Sequence, residues 1–171
     1  MSGEALSLCA VPSALQARSA AFPIKRDAFA IHGISKTPQA GARAVLSRDG
    51  KEARPVLQSF FKLVAEAKAA GVPIVAHNAS FDVSRLKKTA EVHGMPDGAV
   101  PIDAKEALCT MQTSRAAVDA RDRRGHRKAP RLDELHEYLF DRPPAGRMHA
   151  ALDDVRALAK CYVEGKKREL W

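Results

Sequence analysis

The stretch His77-Asn78-Ala79-Ser80-Phe81-Asp82 decides how this chain is read. It follows an apolar run, Val72-Pro73-Ile74-Val75-Ala76, that reads as a short buried strand, and it precedes a segment with helical periodicity. Asp82 therefore stands where the chain leaves a sheet for a helix. In open α/β sheets that crossing, at the carboxyl end of a strand, is where ligands bind. Asn78, Ser80 and Asp82 are also ordinary helix-capping residues, and a carboxylate in a first turn gains from the helix dipole, so a purely structural role stays open.

A second landmark lies near the C-terminus, where His149-Ala150-Ala151-Leu152-Asp153-Asp154 opens another helix. Five residues turn a helix by about 140°, so His149 and Asp154 cannot share one helical face. The expected arrangement puts His149 in the preceding loop, leaning over the first turn toward Asp154. Asp153 competes for that role, one residue earlier and about 100° away.

Around these landmarks the chain has 171 residues, 46% hydrophobic and 28% charged, which suits one globular domain with a full core. No run approaches the roughly 20 apolar residues that cross a bilayer. Glu4 stands where a secretory leader has basic residues. Cys9, Cys109 and Cys161 are odd in number and lack metal-ligand spacing, so the expected setting is a reducing cytoplasm.

The net charge is +8, a balance that attracts polyanions. Arg121, Arg123, Arg124, Arg127, Lys128 and Arg131 face only Asp122 within residues 121–131. Gly125 and Pro130 mark this run as a loop. It is either a solvated surface loop or a phosphate grip beside a cleft. Its lack of aromatic residues excludes a base-stacking platform.

Periodicity supplies the remaining elements. Residues 5–10 read as a strand, and residues 29–35 as a segment turned at Gly33. Val56, Leu57, Phe60, Phe61, Val64 and Ala67 form the core stripe of a helix stopped by Gly71. A helix over 80–93 buries Val83, Leu86 and Ala90, and Gly94 closes it. Residues 106–111 suggest a strand and 113–118 a short helix, with Asp103 and Glu106 as surface or capping groups. A helix around Leu132, Leu135, Tyr138 and Leu139 follows. The last helix, 150–164, has Leu152, Val155, Leu158, Ala159 and Tyr162 as its buried stripe and ends at Gly165. Helices placed between strands imply an α/β arrangement.

Together these stretches resemble the DEDDh exonucleases. The family's second motif ends in Asn-x-x-Phe-Asp after an apolar strand, matched by Asn78, Phe81 and Asp82. Its third, His-x-Ala-x-x-Asp, is matched by His149, Ala151 and Asp154. Ile31-His32-Gly33-Ile34 is similar to a family segment that holds the terminal nucleotide, and Leu132-Asp133-Glu134-Leu135 falls where the family has an apolar helix.

The resemblance implies a ribonuclease H-like fold, a mixed sheet flanked by helices. It implies removal of nucleotides from the 3′ end of DNA or RNA, with two divalent ions, Mg²⁺ or Mn²⁺, bound by carboxylates that include Asp82 and Asp154. His149 takes the role of general base. His32, Gly33, Ile34, Asn78, Phe81, Arg123, Arg124 and Arg127 become candidate substrate contacts. The implied partners are a single-stranded 3′ end and, for some relatives, a DNA polymerase subunit, with no membrane.

The family's first motif, Asp-x-Glu on the first strand, has no counterpart: no Asp here is followed two places later by Glu. The expectation is an N-terminally truncated exonuclease domain spanning 1–171, with 1–27 a remnant of the first strand region and 164–171 a basic tail, while a degenerate relative and a protein that recruits acids from elsewhere stay open as explanations of the missing motif. Two carboxylates around two divalent ions leave the metals short of ligands, so the chain is expected to be weak or inactive. Two other readings compete: a non-catalytic nucleic-acid-binding or polymerase-associated module, and an unrelated basic α/β domain in which both motifs are chance helix caps.

Overall fold

The structure, a computed structural model, describes residues 6–7, 52–145 and 151–171. Strands β1 (Leu6–Ser7), β2 (Ile74–Ala76) and β3 (Leu108–Cys109) form a parallel sheet in that order. Leu6 lies opposite Ile74, and Val75 opposite Leu108. The antiparallel strands of the expected mixed sheet are not among the described residues. Because the three strands run parallel, their carboxyl ends share one edge.

Helix α1 (Ala53–Ala69) precedes β2 and α2 (Ala79–Val92) follows it. Short helices α3 (Thr110–Thr113) and α4 (Arg115–Val118) follow β3, and then α5 (Leu132–Phe140) and α6 (Ala151–Lys167). The stripe Leu57, Phe61, Val64 and Ala67 of α1 is buried as its spacing requires, and Gly71 reverses the chain at φ 69°.

Side chains alternate across a strand, and β2 uses this to feed two cores. Ile74 and Ala76 pack with α1 and with Val83, Leu86 and Ala90 of α2. Val75 packs on the other face with Leu135 and Leu139 of α5 and Leu158 and Cys161 of α6. The result is a helix–sheet–helix sandwich in which each fully buried leucine contributes about 1.5–3 kcal/mol.

Three local expectations change. The strand expected over 106–111 shrinks to two residues, because Thr110 turns inward and starts α3. Leu152 and Ala159, expected in the buried stripe of the last helix, are exposed, Leu152 at 59%, while Cys161 takes a fully buried place instead. The helix also passes Gly165. The Trp171 side chain folds back across that glycine, stacking on Tyr162 with centroids 6.4 Å apart and donating Nε1–H to the Tyr162 carbonyl. A Cβ at Gly165 would lie 2.1 Å from the Trp171 ring. Gly165 is thus a packing site, and the stretch read as a basic tail contains the last turn of α6.

Candidate active site

The carboxyl end of β2 is polar, running into His77 and Asn78. Asn78, directly before α2, sits at φ 79°, a left-handed conformation that Asn tolerates better than most residues. Its carbonyl accepts the Phe81 N–H at 2.9 Å, which starts the helix, but its side chain makes no cap. The capping role left open for this motif is therefore not what Asn78 does.

Asp82 lies in the first turn of α2, half-buried, and its Oδ2 has no hydrogen-bond partner among the described residues. Burial pushes its carboxyl up to about 7. A lone carboxylate held out of water is costly, and proteins keep one where a proton, a cation or a substrate will meet it.

His77 is a strut. Its Nε2–H donates to the Pro130 carbonyl at 3.0 Å, since that oxygen only accepts. Burial holds the ring below its ordinary pKa and thus neutral, so Nδ1 accepts from the Thr110 hydroxyl at 3.0 Å. Thr110 is completely buried and also approaches the Ala76 carbonyl at 3.3 Å. One imidazole thereby ties the end of β2 to the start of α3 and to the segment entering α5. Sequence reasoning placed His77 in the motif but missed this role, which depends on contacts far away in sequence.

Phe81 is 50% exposed, with the Arg85 guanidinium 4.9 Å from its ring centroid. Asp154 is half-buried in the first turn of α6, beside Asp153, which pairs with Arg156 at 3.4 Å. His149, His32, Gly33 and Ile34 lie outside the described residues.

The basic run is a closed hairpin. Arg121 and Arg127 form an antiparallel bridge, and Gly125 makes the turn at φ 82°. Asp122 Oδ1 accepts the Arg124 and His126 amides at 2.8 and 2.9 Å. Arg121 and Arg127 both bond Asp119, holding its carboxyl below the usual range. Lys128 pairs with Glu134, and Arg131 with Asp133 and Glu134. Of the three candidate phosphate contacts, Arg127 is committed to Asp119, while Arg123 and Arg124 have no carboxylate partner among the described residues.

Among the described residues no group of three or more His, Cys, Asp or Glu is arranged to hold a metal. The donor set fits one hydrated divalent ion, which needs only one or two carboxylates beside water and phosphate oxygens, and the orphaned Asp82 Oδ2 is a ready ligand for it. No helix among the described residues is long and apolar enough to cross a membrane.

A layered α/β domain with a buried, unsatisfied carboxylate where its parallel strands end has the form of a ligand-binding or catalytic α/β protein. The exonuclease (RNase T) family model matches residues 24–162, most of the chain. The chain belongs to this exonuclease family, of the DEDDh type, whose domains generally use divalent metals. No curated protein and no solved structure matches it.

Proposed function

We propose that the chain binds the 3′ end of a DNA or RNA strand at the carboxyl edge of the sheet, as a 3′–5′ exonuclease domain whose hydrolysis is slow or absent. The observation that carries this is Asp82, half-buried at that edge with one oxygen unsatisfied among the described residues. Asp82 and Asp154 would hold Mg²⁺ or Mn²⁺, which would neutralise phosphate charge and activate water. His149 takes a proton from the water as general base. His32, Gly33, Ile34, Asn78 and Phe81 contact the terminal nucleotide. The free thiols Cys109 and Cys161 suit the reducing cytoplasm.

The absence of Asp-x-Glu from the sequence favours a second reading, a nucleic-acid-binding or polymerase-associated module that keeps the fold without the chemistry. An assay of the chain on a labelled single strand with Mg²⁺ or Mn²⁺ separates the two. Slow shortening that Asp154→Ala abolishes supports the exonuclease, and binding with no shortening in either metal supports the module. Fast shortening overturns the claim of weak activity, and absence of binding overturns both readings.

A further inference from the structure

Residues 119–134 carry six cations and four carboxylates, and the structure divides them unevenly. Arg121, Arg127, Lys128 and Arg131 are held by Asp119, Asp133 and Glu134. The fourth carboxylate, Asp122, is turned inward on the amides of its own turn and on the His126 ring, 3.4 Å away. What remains is Arg123 and Arg124, adjacent, exposed and at the tip of the hairpin.

A run whose only purpose is solubility gains nothing from such bracing. Here the paired charges stiffen the neck, the Lys128 amide bonds the Ala120 carbonyl at 2.8 Å, and Gly125 closes the turn. The base of the hairpin is fixed as well: Pro130 is fully buried, and its carbonyl is the one that receives His77 Nε2–H. His77 directly precedes Asn78 and the turn bearing Asp82. Two unneutralised guanidinium groups are thus carried on a support anchored at the carboxyl edge of the sheet. Guanidinium forks match phosphate oxygens, and phosphate contacts fix the position of a strand without reading its sequence.

We infer that Arg123 and Arg124 form a two-pronged clamp on the phosphate backbone of the strand whose 3′ end lies at Asp82, while Arg121, Arg127, Lys128 and Arg131 are structural braces. This rests on the nucleic-acid reading proposed above and adds a division of labour among the arginines.

The test measures binding of a fluorescently labelled single strand, in EDTA to suppress cleavage, across a series of KCl concentrations. The full chain is compared with Arg123→Gln/Arg124→Gln and with Arg131→Gln. Each phosphate contact on a single strand contributes about 0.7 to the slope of log affinity against log salt. The double variant is expected to lose about 1.4 of that slope and about tenfold in affinity near 0.1 M salt, with its melting temperature unchanged. Arg131→Gln should leave the slope as it is. Equal slopes in the full chain and the double variant overturn the clamp, as does an equal loss in Arg131→Gln. A full chain that binds no strand at any salt overturns the nucleic-acid reading itself, which separates the two failures.

Discussion

At the end of β2 a half-buried carboxylate keeps an oxygen with no hydrogen-bond partner among the described residues, whereas in the 119–134 hairpin charges stand in water and most are paired. The usual economy of a protein is the reverse: buried polar atoms are satisfied, and exposed charges are left to solvent. Each region therefore departs from the ordinary in its own way. Asp82 keeps one oxygen without a hydrogen-bond partner among the described residues. The hairpin shows ion pairs used as bracing, and of its cations Arg123 and Arg124 are the two left to solvent in the ordinary way.

His77 joins the two regions, and removing it should have the largest effect. His77→Ala strips the Pro130 carbonyl of its donor and leaves a gap between β2 and α3, costing about 2–3 kcal/mol in urea denaturation. A loss below about 0.5 kcal/mol would mean that the regions are not mechanically linked through this ring.

The pH dependence of Asp82 comes next. Its folded pKa of about 7 lies above that of an unfolded aspartate near 3.9, so between these values the folded state binds the extra proton. Stability from this group is present at low pH and is lost as pH rises through about 7. Asp82→Asn should remove that slope and gain about 2 kcal/mol over the parent at pH 8. Thermal melts from pH 4 to 8 check this, and parallel curves for the two proteins would refute it.

The smallest effect belongs to the hairpin. Asp119→Ala frees Arg121 and Arg127, but exposed pairs contribute little to stability and are screened by salt. The destabilisation should fade in 1 M NaCl, and a salt-independent loss would show that Asp119 acts through packing.

The two regions were also unequally legible in the sequence. The β2–α2 crossing is local: an apolar run, a permissive Asn and a helical stripe lie within some twenty residues, and the structure follows them closely. The hairpin was visible only as net charge over 121–131, because Asp119, Asp133 and Glu134, which neutralise four of its cations, lie outside that window. The end of α6 escaped for a similar reason. Gly165 reads as a stop, and only the return of Trp171 explains a glycine inside the helix. Leu152 fits the helical stripe, yet the structure leaves it exposed. Of the candidate site, Asn78, Phe81, Asp82 and Asp154 are described, while His32, Gly33, Ile34 and His149 fall outside the described residues.

The central claim, that Asp82 is held ready for a cation, is tested most directly by melting the protein at pH 8 in EDTA and in MnCl₂, alongside Asp82→Asn. Saturating Mn²⁺ should raise the melting temperature of the full chain by about 5 °C or more and leave Asp82→Asn unmoved. An equal rise in both proteins, or none in either, would contradict it.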